Sequence, residues 1–244
     1  MKYNLFLIFL AYFFRLSAEF PKRKKIQPIK NLLEYQIPSQ YNFFDELPFC
    51  NFHPGNRTCL GDYAQGLFLT MSHRICRKKS KPFKLSYQYL SACDPLNLGC
   101  ERGNTQSLMY FLEQYGSPSD EDLPWQSIYN YNSSFCSKYR KSDIQFYRIS
   151  HESGIILTDI IQIQREIYLN GPVSATVTDF LKNENDDRNY EANQSVEIIG
   201  WYEKEDLFWI TYNEKWGVNY IRAGYNDALI ESNIFAFEVQ KFVD

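Results

Sequence analysis

Histidine is scarce in this sequence: three among 244 residues, which leaves little room for a His-rich metal centre. Positive charge is not in excess either. The formal net charge is −3 and the isoelectric point about 5.7, a balance that argues against nucleic acid as the main partner. Beyond residues 5–14 no apolar run approaches the roughly 18 residues that span a bilayer. There is no collagen-like period, no internal repeat and no low-complexity segment. What is present is a globular composition, 44% hydrophobic and 17% aromatic, with too much apolar surface for a disordered chain. Six cysteines, an even number, suit a disulfide framework in an oxidising compartment.

The first eighteen residues point to such a compartment. Lys2 precedes the apolar run Leu5–Phe14, and Leu16-Ser17-Ala18 ends in small residues before Glu19. That order resembles a secretory signal peptide over 1–18 and predicts a soluble, secreted or lumenal chain with no membrane span after cleavage. Residues 19–36 follow as a short basic arm or pro-segment. Their Lys22-Arg23-Lys24-Lys25 cluster reads as a solvated arm, with a processing site or a polyanion contact as alternatives. Residues 1–36 hold +5 of formal charge, so residues 37–244 hold −8.

From residue 37 onward the apolar spacing predicts a main domain. Ala64, Leu67, Phe68, Met71 and Ile75 follow the one-face spacing of a core-facing helix. Asp62 and Gln65 have the spacing of a capping box, which starts that helix near Asp62. Further helices are expected over 86–93, over 105–115 with a stop at Gly116, and over 159–169 before Asn170-Gly171-Pro172. After Pro172 the pattern turns to short β-branched and aromatic runs: 173–180, 195–202, 207–212, 220–223 and 235–239. A helix-rich half followed by a strand-rich half predicts an α+β fold with two lobes.

An ordered series of motifs carries a family resemblance. Ile37-Pro38-Ser39, Phe44-Asp45 and Cys50 resemble the mature N-terminus of the papain-like cysteine proteases, the cathepsin B-like branch in particular. Cys59-Leu60-Gly61-Asp62-Tyr63 stands where that family has C-G-S-C-W. Ser72-His73-Arg74-Ile75-Cys76, Leu85-Ser86 with Cys93, and Gly99-Cys100-Glu101-Arg102-Gly103 follow in order. Leu123-Pro124-Trp125, Asn170-Gly171-Pro172-Val173, Ile199-Gly200-Trp201 and Trp216-Gly217 complete the series. The resemblance covers about 200 residues. It implies a papain-like domain over 37–244, with a helical left lobe and an antiparallel, β-rich right lobe.

The same resemblance places the chemistry, and there the residues depart from it. The family uses a Cys thiolate as nucleophile, a His as proton carrier and an Asn that orients the His. Here the three positions hold Asp62, Gln194 and Asn213, the last two lying 132 and 151 residues after Asp62. Asn56 stands at the oxyanion position. A carboxylate is a poor nucleophile toward an amide, and Gln194 has no proton that titrates near neutral pH. Of the histidines, His73 falls eleven residues along the same helix, and neither His53 nor His151 occupies the proton-carrying position. Glu197 is the only nearby carboxylate for an aspartic-type pair. Asp62 therefore reads as a helix cap rather than a nucleophile.

The surroundings change too. Arg102, beside Gly103, replaces a groove-lining Gly, and a long charged side chain there obstructs or re-specifies peptide binding. The stretch between Gly116 and Cys136 is too short for the occluding loop of cathepsin B, and residues 19–36 are short for an inhibitory prosegment. All six cysteines match structural half-cystines of the family, which implies the pairs Cys50–Cys76, Cys59–Cys100 and Cys93–Cys136. No C-x₂-C pair suggests zinc. Asn56, Asn132 and Asn193 each begin an N-glycosylation sequon, two of them flanking the former active site. Together these features predict a secreted or lumenal, catalytically inactive homologue, a pseudoprotease that binds or scaffolds a protein or peptide partner without a cofactor. A residual peptidase with atypical residues and a structural matrix component are the alternatives.

Overall fold

A computed structural model of the chain describes residues 37–51, 63–140, 143–178, 194–214 and 217–241. Its first elements are strand β1 (Tyr41–Asn42), the short helix α1 (Phe43–Glu46) and a 3₁₀ turn over Pro48–Cys50. The long helix α2 runs Gln65–Lys79 and buries Leu67, Phe68, Leu69, Met71, Ile75 and Cys76. It ends on the left-handed Ser80, with Arg77, Lys78 and Lys79 complementing the dipole.

The start of α2 differs from the expectation. Its N-cap is Ala64, without a side-chain cap bond, and both amide atoms of Gln65 are buried with no hydrogen-bond partner among the described residues. Gln65 is fully buried, and its expected capping partner, Asp62, lies outside the described residues.

Three more expected helices form where their caps are. Ser86 accepts from Tyr89 N ahead of α3 (Tyr87–Cys93), and Asn104 accepts from Gln106 N and Ser107 N ahead of α4 (Thr105–Gln114). Asp159 accepts from Gln162 N ahead of α6 (Ile160–Asn170), which stops at Gly171 with φ 105. Helix α5 (Ser133–Arg140), short and weakly apolar, escaped the spacing argument.

Two sheets complete the fold. Strands β4 (Ile155–Leu157), β5 (Val173–Val177), β6 (Gln194–Glu203), β7 (Leu207–Asn213), β8 (Gly217–Arg222) and β9 (Ile234–Ala236) form an antiparallel sheet in the order β4-β9-β5-β6-β7-β8. Strand β1 adds to β6 beside a register shift at Ile198/Gly200. Gly200 is required there, because a Cβ would meet the Tyr41 carbonyl oxygen at 2.0 Å. A smaller sheet holds β2 (Ser117–Pro118), β3 (Phe146–Ile149) and β10 (Val239–Lys241). The run expected over 235–239 is thus two strands in two sheets, broken at Phe237–Glu238. Strand β8 begins three residues before its expected start.

Two apolar cores match the two lobes. One gathers α1–α4 with Leu123, Tyr147 and Val239; the other gathers α6 and the large sheet around Trp201 and Trp209. Between them α2 packs on β5 and β6, and its basic residues cross the seam. Arg74 donates to the carbonyls of Pro172 (2.7 Å), Gly171 (3.1 Å) and Phe237 (2.6 Å), and pairs with Glu166 at 2.9 Å. The disulfides Cys50–Cys76 and Cys93–Cys136 are present. Cys100 is disulfide-bonded as well, while Cys59 lies outside the described residues.

Candidate functional site

Gln194 opens β6 and Asn213 closes β7. These strands are antiparallel neighbours, so both residues stand at one end of the sheet. Asn213 is buried, and its Nδ2 donates to the Ser195 carbonyl at 3.2 Å. Gln194 is half-buried, with its Oε1 shielded from solvent and without a hydrogen-bond partner among the described residues. Gly66, in the first turn of α2, lies against this strand end: a Cβ there would meet the Val196 oxygen at 2.2 Å and the Ser195 Oγ at 2.6 Å. Only glycine lets helix and sheet approach this closely.

The other side of the α2 head belongs to the helical lobe. The Tyr63 hydroxyl donates to the Gly99 carbonyl at 3.0 Å, and the Tyr63 carbonyl accepts from Thr105 Oγ1 at 2.7 Å. Its ring fills the space where a Gly103 side chain would sit, 2.5 Å from such a Cβ. Burial raises the Tyr63 hydroxyl pKa above the ordinary tyrosine range, and the nearby Asp94 carboxylate adds to the rise. Arg102 is exposed on the same loop, its carbonyl accepting from Leu98 N at 2.9 Å. The structure therefore places Gln194 and Asn213 on one side of the α2 head and Arg102 and Gly103 on the other. Asp62, Asn56 and Asn193 fall outside the described residues.

The ionisable groups near these positions are committed elsewhere. His73 and Glu197 form a pair buried at 1% and 0% exposure, with Nδ1 at 2.8 and 3.0 Å from the two carboxylate oxygens. Burial raises the Glu197 pKa against the downward pull of His73 and Arg74. Its carboxylate is closed off from any substrate, so it supplies no facing partner for an aspartic-type mechanism. His151 is exposed and meets Glu113 at 2.6 Å. The pairing of His73 with Glu197 was legible only as two oddities, a His within a core helix and a Glu within an apolar strand. Buried ionisable side chains at such positions demand each other.

Each of the five described cysteines is disulfide-bonded, so none offers a thiolate. Among the described residues no group of three or more His, Cys, Asp or Glu side chains is placed to hold a metal ion. No helix among them is long and apolar enough to cross a membrane. Asn132 is exposed and caps α5, its Oδ1 accepting from Phe135 N at 3.0 Å.

Comparison with known proteins bears on the family and the fold. A family profile described as papain family cysteine protease matches residues 55–239. Cathepsin B of Dictyostelium discoideum is 28% identical over 179 residues, covering 66% of this chain but only 57% of that protein. Cathepsin B-like CP2 of Giardia intestinalis is 25% identical over 228 residues, covering 82% of this chain and 74% of its own. Among solved structures, procathepsin B S9 from Trypanosoma congolense superposes with a TM-score of 0.69 at 19% identity, over 88% of this chain and 82% of that one. The last is a likeness of fold.

Proposed function

Because this chain belongs to the papain family of cysteine proteases, we propose that it is a catalytically inactive member of it, a pseudoprotease that keeps the two-lobe scaffold to bind or organise a protein or peptide partner. One observation carries the reading. The residues at the nucleophile and proton-carrier positions are Asp62 and Gln194, an acceptor-only side chain and a neutral amide, where the chemistry needs a thiolate and an imidazole. The disulfide-bonded cysteines and the closed His73–Glu197 pair leave no obvious substitute among the described residues.

Residues 1–18 direct the chain into the secretory pathway, a route in keeping with its disulfides. Asn56, Asn132 and Asn193 are its glycan acceptors. At Asn132 the cap bond uses Oδ1, leaving the amide nitrogen for the sugar.

Restoring the missing pair tests the reading. The native chain should resist an electrophilic probe aimed at papain-type thiolates. Asp62→Cys/Gln194→His should become labelled at residue 62 and begin to cleave peptides. Labelling of the native chain at one specific residue would overturn the proposal.

A further inference from the structure

The large sheet ends on β8, and no further strand pairs with it there among the described residues. Ala223 N donates to the Leu207 carbonyl at 2.8 Å and Thr211 Oγ1 to the Asn219 carbonyl at 3.2 Å, so residues 219, 221 and 223 turn their main chain toward β7. The N–H and C=O groups of Val218, Tyr220 and Arg222 therefore point out along the open edge. The side chains of the same three residues share one face of the sheet, and Val218 and Tyr220 are 45% and 58% exposed. On that face Tyr202 stacks on Phe208 at 5.1 Å, the rings 7° from parallel, and meets Tyr220 edge-on at 5.4 Å.

A sheet edge is ordinarily guarded by a bulge, a proline or an unpaired charge. Strand β8 has none of these. It pairs with β7 through six successive residues without a register shift, and it holds neither proline nor lysine. Its one charge, Arg222, is neutralised by Asp227 at 3.2 Å and Asp206 at 4.0 Å. The opposite edge, β4, is only three residues long. Charge is unbalanced at the Arg222 end of β8. The turn from β6 to β7 reads Glu203-Lys204-Glu205-Asp206, and with Asp227 and Arg222 it sets four carboxylates against two cations. Glu203 and Glu205 are exposed and join no ion pair among the described residues.

We infer that the β8 edge binds an extended, basic peptide segment of a partner protein, which adds to the sheet as a further strand. Main-chain bonds to Val218, Tyr220 and Arg222 hold the segment, and its alternate apolar side chains lie against Val218 and Tyr220. Lysine or arginine at one end of the segment meets the carboxylates of Glu203 and Glu205. A second copy of the chain fits less well, because it brings the same acidic turn and its own charge of −8 over residues 37–244 to the contact. The inference rests on the binding role proposed above, for which it names a surface and a partner class, but it uses neither Asp62 nor Gln194. A chain that proved proteolytic would leave the edge as it is.

Fluorescent peptides of about eight residues, a length matched to an edge strand, test the site by polarisation with the full chain. A peptide alternating Val with Thr and carrying two Arg at one terminus or the other should bind, and its counterpart with two Glu should bind about tenfold more weakly. N-methylation of one alternate set of its amides should abolish binding, and methylation of the other set should leave it. Tyr220→Lys and Glu203→Gln/Glu205→Gln should each weaken binding about tenfold at an unchanged midpoint of thermal unfolding, and the second should also flatten the salt dependence. Ile156→Lys on β4 and Asp62→Ala/Gln194→Ala should bind like the native chain. The inference is overturned if the Arg peptides fail to bind, if both methylated forms bind alike, or if the Glu203/Glu205 variant binds like the native chain. It is equally overturned if the Asp62/Gln194 variant loses binding, or if the native chain sediments as a dimer that Tyr220→Lys returns to monomer.

Discussion

Ala228 and Leu229 occupy left-handed backbone conformations, φ 53 and φ 55, one after the other, with Asn226 at φ 53 just before them. The surrounding loop holds them there. Glu231 accepts from Gly224 N, Asn226 N and the Trp209 indole, and Thr178 N donates to the Ala228 carbonyl at 2.9 Å. Left-handed backbone at a residue with a Cβ costs about 1–2 kcal/mol. Ala228→Gly should therefore bring no loss of stability, and a gain of up to about 1 kcal/mol once the extra freedom of the unfolded chain is deducted. The same change at the buried strand residue Ala175 should cost about 1.5 kcal/mol, from strand propensity and a lost methyl. Urea unfolding of both variants checks the contrast, and equal losses would contradict the strain.

Ionisable residues in the interior give the second residue-scale expectation. Removing one member of the His73–Glu197 pair, as in His73→Ala, strands a buried charge and should cost about 3–5 kcal/mol, while a double replacement by apolar residues recovers most of it. A double-mutant cycle reads the coupling directly. Asp94 is buried at 1% exposure, and its oxygens accept from Leu96 N and Asn97 Nδ2. Burial raises its pKa above the ordinary 3.8, against those hydrogen bonds. The folded chain therefore holds this proton to higher pH than the unfolded chain does. Its contribution to stability is full below the ordinary aspartate range and is lost as pH rises through the elevated folded value. Glu197 shifts in the same direction. Asp94→Asn should flatten the decline of stability from mildly acidic toward neutral pH, and an unchanged slope in pH-dependent unfolding would count against the burial argument.

At the scale of elements, the disulfides join pieces that are otherwise held by short contacts. Cys93–Cys136 ties α3 to α5 across 43 residues, and Cys50–Cys76 ties the first 3₁₀ turn to α2 across 26. The chain-entropy treatment gives about 4 and about 3.5 kcal/mol for loops of these lengths. Replacing each pair by Ala should lower unfolding free energy by amounts of that order, which chemical denaturation measures.

Elements were legible in the sequence where a cap and a one-face apolar stripe coincide. Ser86, Asn104 and Asp159 each start a helix within a residue or two of the expected place. Legibility failed where tertiary pairing decides. Ser117–Pro118 and Phe146–Ile149 are strands only because Val239–Lys241 returns beside them, and no local spacing announces that return.

On the scale of the molecule, the ordered motifs from Ile37 to Gly217 made the family legible, because they mark buried or tightly packed positions such as Gly103, Gly200 and Trp201 that the fold requires. Register along β6 and β7 carries Gln194 and Asn213 to one sheet end. What neighbouring side chains do around them was not legible. The burial of Glu197 against His73 joins residues 124 positions apart in the chain.

The central claim is that a protease scaffold persists without proteolysis. Incubating the purified secreted chain with a diverse peptide library, from mildly acidic to neutral pH, and reading cleavage by mass spectrometry tests it most directly. The account predicts no turnover above that of an Asp62→Ala/Gln194→Ala variant. Specific cleavage by the native chain that this variant loses would contradict it.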